Sequence, residues 1–332
     1  MTKSRPILSI VTTLYNSSPY IDEFYQRITK EARKITDDYE IIFVDDGSPD
    51  DSLNKAINLC NVDDKVKVVE LSRNFGHHKA IMLGLSLARG EYIFLIDVDL
   101  EEEPELLAKF WEEMQKDNDI DVVYGVQEKR KGNWFEKLSG EIFYWIYNKI
   151  ADVKIPRNFT TCRLMKKNYK DALISYRERE MVLAVLLSMT GFKQKELAIR
   201  KLYRGNTNYT LPKKVSIFIT SIVSSSAFPL YIIFYIGLFI CIFSFLYALW
   251  IIYRKIFYGV DIAGWSSIMV SIWFLGGIII LFIGVVGIYI SKIFLEVKRR
   301  PNAIIRKIYT KGCDARVKNL EYAKYNNFYA HK

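Results

Sequence analysis

Two long stretches without any charged residue or histidine occupy the C-terminal part of this 332-residue chain. They run from Val215 to Tyr253 and from Ile262 to Ser291. A helix needs only about 20 apolar residues to cross a bilayer, so the first stretch is too long for one span. Pro229 also interrupts it. We therefore predict an interfacial helix and two membrane spans, at 212–228, 229–253 and 264–290. The alternative, two buried core helices, would require an unusually large soluble core.

Cations flank both predicted spans. Lys213 and Lys214 precede the first span, and a larger group follows the second: Lys292, Lys298, Arg299, Arg300, Arg306 and Lys307. Cytoplasmic flanks are enriched in Lys and Arg, so we expect both termini in the cytoplasm. The net charge of +10 is explained by anionic membrane lipids, and we expect no nucleic-acid partner. No N-terminal signal peptide is visible, and the four scattered cysteines argue against a zinc site or a disulfide framework.

Residues 1–211 show alternating strand and helix patterns up to about residue 126. The predicted strands are continuous apolar runs at 7–15, 39–48, 66–72, 91–99 and 120–126. This pattern predicts an α/β domain with a mostly parallel sheet covered by helices. The last segment, 291–332, is basic and is expected to lie along the membrane or to be partly disordered.

Polar clusters follow four successive predicted strands: Tyr15-Asn16, Asp45 to Ser48, Ser72 to Asn74, and Asp97 to Asp99. Ligands of such sheets bind at the carboxyl ends of the strands, so these clusters predict one site. The chain has neither a G-x-G-x-x-G motif before its first helix nor a P-loop motif.

Asp97 and Asp99 are two residues apart at the end of a predicted strand, which would direct both carboxylates to one face. Paired carboxylates are costly unless a cation relieves them. Mg²⁺ typically takes one or two protein carboxylates and completes its shell with substrate phosphates. We therefore predict a metal at Asp99, assisted by Asp97. For the acids that follow, a solvated acidic turn is the preferred interpretation: Glu101, Glu102, Glu103 and Glu105.

Several motifs together resemble the family 2 (GT-A) glycosyltransferases: "LSIVTTLYNS", "EIIFVDDGSPDDS", "VVELSRNFGHHKAIMLGL", "RGEYIFLIDVDLEEEPE" and "GIYISKIFLEVKRRPNAII". Within that family the chain resembles the polyprenyl-phosphate glycosyltransferases with C-terminal membrane helices. The resemblance implies a cytoplasmic GT-A domain, a nucleotide-sugar donor, and Mg²⁺ or Mn²⁺, and we expect the donor to be UDP-linked. It also implies inverting transfer to undecaprenyl phosphate, a multi-pass protein of the bacterial inner membrane, and a homo-oligomer, with relatives suggesting a tetramer.

The resemblance also implies roles for individual residues. Tyr15, Asn16, Asp45, Asp46, Arg73 and Asp97 would bind the nucleotide sugar. Asp99 and Asp97 would hold the metal. Apart from the resemblance, a phosphate acceptor needs cations to hold it, and the candidates for binding it are Arg130, Arg163, Arg200 and Arg204. Asp99, Arg163 and Arg130 form the predicted catalytic set. The adjacent pair His77-His78 could contact donor or acceptor, but side chains that point two ways favour a structural interpretation.

The chain departs from the family most clearly at Thr161, where many relatives have an Asp that is a proposed catalytic base. A lipid phosphate is largely dianionic at neutral pH, because its second pKa is about 6, and it can attack without losing a proton. The departure thus favours a phosphate acceptor. Two alternatives stay open: a sugar-hydroxyl acceptor with Asp152 or Glu128 as the base, and a non-catalytic membrane scaffold.

Overall fold

The computed structural model describes residues 5–127, 158–176, 178–179, 181–202, 226–258 and 264–311. Most of these residues, up to 202 and again from 299, belong to one compact unit. Residues 226–258 and 264–298 belong to a second unit. The predicted interfacial helix over 212–228 lies almost entirely outside the described residues and stays a prediction.

The first unit is built on a sheet that has eight strands within the described ranges. They are β1 Leu8–Leu14, β2 Tyr39–Asp45, β3 Val66–Leu71, β4 Tyr92–Leu95, β5 Val122–Gln127, β6 Phe159–Lys166, β7 Gln194–Ile199 and β8 Ile305–Thr310. The spatial order is β7-β5-β6-β4-β1-β2-β3-β8. Only β6 and β8 run against the other strands. The predicted mostly parallel α/β sheet is confirmed, and its first five strands are those that the sequence predicts.

Helices cover both faces of this sheet. They are α1 Ile21–Ile35, α2 Ser52–Val62, α3 His77–Leu87, α4 Leu106–Gln115, α5 Lys167–Ser175 and α6 Leu183–Met189. Buried side chains of α1, α2 and α4 pack in one core, and those of α3, α5 and α6 pack in the other. The spacing in α1 shows why: Ile21, Phe24, Ile28 and Ala32 fall on one helical stripe and are fully buried.

The strand β8 follows the second apolar helix and pairs antiparallel with β3. Its Arg306 Nη1 donates to Oε1 of Glu70 at 3.0 Å, and its Tyr309 hydroxyl donates to Oε2 of Glu70 at 2.8 Å. Just before it, the carbonyl of Ile304 accepts a hydrogen bond from the Ser72 backbone at 2.9 Å. The expectation of a membrane-bound or disordered tail is thus wrong for 305–310, because β3 has an edge whose backbone groups need partners.

The second unit contains two long apolar helices, α7 Phe228–Tyr258 and α8 Trp265–Val297. Each is long and apolar enough to cross a membrane, and none of the residues whose burial is described in the apolar segments Phe228–Tyr247 and Ser271–Val297 is buried. Phe239, Trp273 and Ile280 are at least 70% exposed, as lipid-facing side chains are. Among the residues whose burial is described, neither helix is a buried core helix, so the alternative of two core helices does not fit.

Candidate active site

The D-x-D pair lies in a turn beyond β4, which ends at Leu95. The predicted strand was therefore too long, and the two acids are not held by strand geometry. Alternation nevertheless continues through the turn, because Val98 and Leu100 are buried in the core while Asp97 and Asp99 remain partly exposed. Leu100 adopts a φ of 57°, in the left-handed region, which reverses the chain directly after Asp99.

Asp99 is the more constrained of the two acids. Its Oδ1 accepts a hydrogen bond from the backbone N–H of Glu101 at 2.9 Å. Burial raises the pKa of Asp99, and the negative charges of Asp97 and Glu101 raise it further, against the hydrogen bond and Lys201. Two mutually repelling carboxylates at the end of a strand form an oxygen donor set that a hard divalent cation would relieve.

No group of three or more His, Cys, Asp or Glu side chains forms a metal cage among the described residues. A complete cage is not required for Mg²⁺ or Mn²⁺, because substrate phosphates and waters supply the remaining ligands. The pair Asp97 and Asp99 therefore fits a cation that binds together with a diphosphate. The assignment of the metal to this pair remains a proposal.

Asp45, the last residue of β2, carries a buried oxygen with no partner. Its Oδ2 accepts from the Ser48 backbone at 3.3 Å, but its Oδ1 has no hydrogen bond within the described part of the chain. The residue is only 2% exposed, and burial raises the pKa of Asp45. A buried acceptor left unpaired is costly, so this oxygen fits a ligand that brings an N–H or O–H donor.

Asp46 is occupied by the protein itself. Its two carboxylate oxygens accept from the backbone N–H groups of Phe75, at 2.7 Å, and Gly76, at 2.9 Å. The next residue, Gly47, has a φ of +67°, and a Cβ there would lie 2.7 Å from the Asn74 nitrogen. This strand end therefore holds the 72–76 loop, and the predicted contact of Asp46 with the nucleotide remains untested.

Tyr15 and Asn16 follow β1 and form part of the same edge. Tyr15 is 51% exposed, and Asn16 has a φ of 54°, a conformation that Asn tolerates better than most residues. The turn is tied to the next loop, because the Ser17 N–H donates to Ser52 Oγ at 2.9 Å and the Ser18 N–H donates to Asp50 Oδ2 at 3.0 Å. An exposed aromatic ring on a fixed turn is available to stack on a base.

The 72–76 loop presents Arg73. Its side chain is exposed, lies over the Phe75 ring at 4.1 Å and donates to the Asn74 carbonyl at 2.9 Å. His77 directly follows the 72–76 loop and begins α3. Its Nδ1 is 3.1 Å from Thr13 Oγ1 and its Nε2 is 3.5 Å from Asp97 Oδ1. His77 therefore lies beside the acidic pair, and the structural interpretation of its role stays a prediction.

Glu102 and Lys201 form an ion pair beside the D-x-D turn, and the sequence gives no signal for it. Glu102 is 1% exposed, and its carboxylate accepts no hydrogen bond from the described residues. Lys201 Nζ lies 3.9 Å from Glu102 and 3.0 Å from Glu101. Burial, and then the charge of Asp97, raises the pKa of Glu102 to about 7 despite Lys201. The expected solvated turn is wrong for Glu102, because Leu100 turns the chain inward.

Thr161 lies near the start of β6, and because β6 is antiparallel to β4 and β5, its start is at the same edge of the sheet. Two residues further, Arg163 pairs with Leu95 of β4 and is 1% exposed. Its guanidinium donates to the carbonyls of Thr160, at 3.1 Å, and Thr161, at 3.2 Å. Burial lowers the pKa of Arg163. These contacts hold the Thr160-Thr161 backbone, and a contact between Arg163 and an acceptor phosphate stays a prediction.

The remaining predicted phosphate ligands divide into two groups. Arg200 is exposed and follows β7, which is parallel to β5 and ends at the same edge. The others lie outside the described residues, as do both candidate bases: Arg130, Arg204, Glu128 and Asp152.

The fold and these strand-end residues define a GT-A-like glycosyltransferase domain. The family model "Glycosyl transferase family 2" matches residues 9–173. A "Putative glycosyltransferases" protein of Mycobacterium tuberculosis is 47% identical over 302 residues, covering 91% of this chain and 88% of that protein. The chain belongs to glycosyltransferase family 2 and is a glycosyl transfer enzyme.

Two further comparisons are informative about the relatives themselves. The "SfII prophage-derived bactoprenol glucosyl transferase" of Shigella flexneri is 33% identical over 303 residues, covering 90% of this chain and 97% of that protein. The glucosyl-3-phosphoglycerate synthase of Mycobacterium tuberculosis, solved with Mn²⁺, uridine diphosphate and glucosyl-3-phosphoglycerate, is 17% identical with a TM-score of 0.46. That match covers 66% of this chain and 78% of the solved chain.

Proposed function

We propose that this enzyme transfers a sugar, with inversion, from a UDP-linked donor to polyprenyl phosphate at the cytoplasmic face of the membrane. The lipid-linked sugar would then serve the modification of a cell-surface glycan. Support for the acceptor comes from the two exposed apolar helices and from the bactoprenol glucosyl transferase, similar over nearly its whole length.

One observation carries the proposal. The buried Oδ1 of Asp45, which has no partner within the described part of the chain, and the acidic pair Asp97 and Asp99 lie at the ends of strands of one sheet, at the same edge. The first is an acceptor for the N–H of a base or a ribose hydroxyl, and the second suits a diphosphate that arrives with a cation. A nucleoside diphosphate has both groups, so its chemistry matches the two kinds of polar group at this edge.

Asp99, assisted by Asp97, would hold Mg²⁺ or Mn²⁺. When bound, such a cation neutralises charge on the departing nucleoside diphosphate. The chain's own residues bind and orient the donor: Asp45 accepts from the nucleoside, Tyr15 offers a stacking surface, and Arg73 presents a cation beside the phosphates. Asp46 contributes by fixing the loop that carries Arg73.

The acceptor is favoured by what stands at position 161. Thr161 cannot accept a proton as a carboxylate does, and a phosphate monoester dianion does not need a base. The acceptor phosphate instead requires cations that hold it in line with the anomeric carbon. Arg130, Arg163, Arg200 and Arg204 are the proposed set, of which Arg200 is exposed at the strand-end edge.

The test is a transfer assay with the full chain in detergent. Undecaprenyl phosphate, Mn²⁺ or Mg²⁺, and a panel of labelled nucleotide sugars are supplied, and label is counted in the organic phase. We expect label from one donor only, lost with EDTA and in Asp99→Ala. Asp119→Ala, at an exposed acid on the opposite edge, is the matched control and should retain transfer.

Two outcomes would redirect the proposal. Transfer to a hydroxyl of a lipid-linked glycan, with a rate that falls as a carboxyl group is protonated, would favour the hydroxyl acceptor and a base such as Asp152 or Glu128. Absence of transfer from every donor, with the lipid shown competent by another enzyme, would contradict the proposed acceptor and donor class together.

A further inference from the structure

His77 connects two neighbouring strands at the centre of the strand-end edge. It is the first residue of α3, while Thr13 belongs to β1 and Asp97 follows β4, the strand beside β1. The imidazole lies between them, with Nδ1 3.1 Å from Thr13 Oγ1 and Nε2 3.5 Å from Asp97 Oδ1. The side chain of His77 is 47% exposed, so it is not a packed core histidine.

The hydrogen-bonding capacity of the three groups fixes the direction of this link. Because the Asp97 carboxylate only accepts, the neutral tautomer that suits this contact carries its proton on Nε2, 3.5 Å from Asp97 Oδ1, and accepts from the Thr13 hydroxyl at Nδ1. With a protonated ring, Nδ1–H donates to the Thr13 oxygen and Nε2–H still points at Asp97. A hydroxyl rotates to suit either state, so the ring presents the same N–H to the carboxylate in both.

The order hydroxyl, imidazole, carboxylate also occurs in nucleophilic triads. That role does not fit here, because a triad nucleophile must be presented to the substrate. Thr13 is only 8% exposed and its hydroxyl is directed at the ring of His77. The arrangement fits a support for Asp97 instead.

We propose that His77 is a positioning residue that holds the Asp97 carboxylate, anchored in turn by Thr13, so that Asp97 is oriented toward a cation bound with the donor diphosphate. The proposal rests on the proposed function insofar as Asp97 faces that cation. In this assignment His77 contacts the carboxylate, with Nε2 3.5 Å from Asp97 Oδ1, and is not itself a metal ligand.

Residues that hold a metal-binding carboxylate typically contribute 10- to 100-fold to metal affinity, by order of magnitude. We therefore expect His77→Ala to weaken Mn²⁺ binding in the presence of UDP by about 10-fold or more. His77→Gln can place an amide N–H near the position of Nε2 and should restore most of that affinity. Thr13→Val, which removes the anchor and keeps the volume, should fall between them.

The measurement is a titration of the purified full chain with Mn²⁺ at saturating UDP, with free Mn²⁺ followed by its electron paramagnetic resonance signal. It reports binding without any transfer. His78→Gln is the matched control, because no hydrogen bond or ion pair joins the adjacent ring to Thr13 or Asp97 among the described contacts. That ring contacts His77, with 5.9 Å between ring centroids, and has only an electrostatic interaction with Asp97. Melting temperatures of all variants separate loss of binding from loss of folding.

An Ala variant that binds Mn²⁺ within about twofold of the wild type would overturn the proposal, and so would a Gln variant as weak as the Ala variant. If His77→Ala does not fold, the Gln and Thr13→Val variants decide, and unchanged affinity in Thr13→Val together with weak binding in His77→Gln counts against it. Wild-type protein that binds no Mn²⁺ with UDP would instead refute the metal in the proposed function.

Discussion

Asp46, directly after β2, accepts a hydrogen bond from the backbone N–H of Gly76, 2.9 Å away at the start of α3. Its second oxygen accepts from the N–H of Phe75 at 2.7 Å. The aspartate accepts two backbone hydrogen bonds at once, and it therefore links the β2 turn to the 72–76 loop. The loop that presents Arg73 depends on a residue that need not touch the substrate itself.

We predict that Asp46→Asn destabilises the protein by about 1–3 kcal/mol, because the amide offers one acceptor and turns an N–H₂ toward the second backbone donor. UDP affinity should fall with it, since the 72–76 loop is no longer held. Thermal melting and UDP binding by calorimetry check both effects. Asp51→Asn is the control, because Asp51 is exposed and accepts only from Asn54 among the described side chains. Equal melting temperatures for wild type and Asp46→Asn would contradict this linking role of Asp46.

Asp45, one residue earlier, should behave in the opposite way. Its Oδ1 is buried without a partner, and no cation among the described residues forms an ion pair with its carboxylate. We predict that Asp45→Asn leaves the melting temperature unchanged or raises it, while UDP affinity falls by about 10-fold or more, as the loss of a charge-assisted hydrogen bond implies. Calorimetric UDP titration beside thermal melting separates the two residues. A variant that melts much earlier and binds UDP normally would assign Asp45 a structural role.

The sequence predicts β1 to β5 because buried parallel strands are continuous apolar runs. It does not predict β7, "QKELAI", or β8, "IRKIYT", because both lie at edges of the sheet and carry charged side chains exposed to solvent. The acids at the strand ends are visible in the sequence because they stand directly at the ends of these apolar runs.

The pairs that complete the site are a different matter. His77 meets Asp97 because α3 begins above the neighbouring strands β1 and β4, and Lys201 meets Glu102 because β7 ends at the same edge. Each pair joins residues that are distant in the chain. Only the order of the strands brings them together, and local sequence patterns do not predict that order.

Glu102 gives a prediction about pH. Its pKa is raised to about 7 in the folded protein, from a usual value of 4.5. Below 4.5 both the folded and the unfolded chain are protonated there, so Glu102 contributes nothing. Between 4.5 and about 7 only the folded protein keeps the proton, and stability falls as the pH rises. Above about 7 the full penalty applies, on the order of 3 kcal/mol.

We therefore expect Glu102→Gln to raise the melting temperature by several degrees at pH 8 and to change it little at pH 5, in EDTA and without donor. The amide resembles the protonated carboxyl group in shape and charge, which is why the difference should vanish in acid. Glu103→Gln, at the adjacent and more exposed position, is the control for the Glu-to-Gln change itself. A gain that is the same at both pH values would mean that the benefit is not one of charge.

The position of β8 predicts the topology of the membrane segment. β3 precedes the two apolar helices in the chain and β8 follows them, yet Glu70 and Arg306 are joined in one sheet. A single crossing would separate these strands by a bilayer, so α7 and α8 must cross as a pair or not at all. More Lys and Arg residues flank the outer ends of α7 and α8 than lie in the connection between the two helices. We therefore predict that the sheet and the C-terminus are cytoplasmic and that 259–263 are on the opposite side.

Reporter fusions in cells check this arrangement. A fluorescent protein fused after Lys332 should fluoresce, and alkaline phosphatase inserted at Gly259 should be active, because the first matures in the cytoplasm and the second only outside it. Alkaline phosphatase after Lys332 serves as the inactive control. Activity at the C-terminus with fluorescence at the connection would invert the orientation, but it would leave the β3–β8 pairing intact. Active phosphatase at the C-terminus together with a cytoplasmic N-terminal reporter would be incompatible with that pairing, because β3 and β8 would then lie on different sides of the membrane.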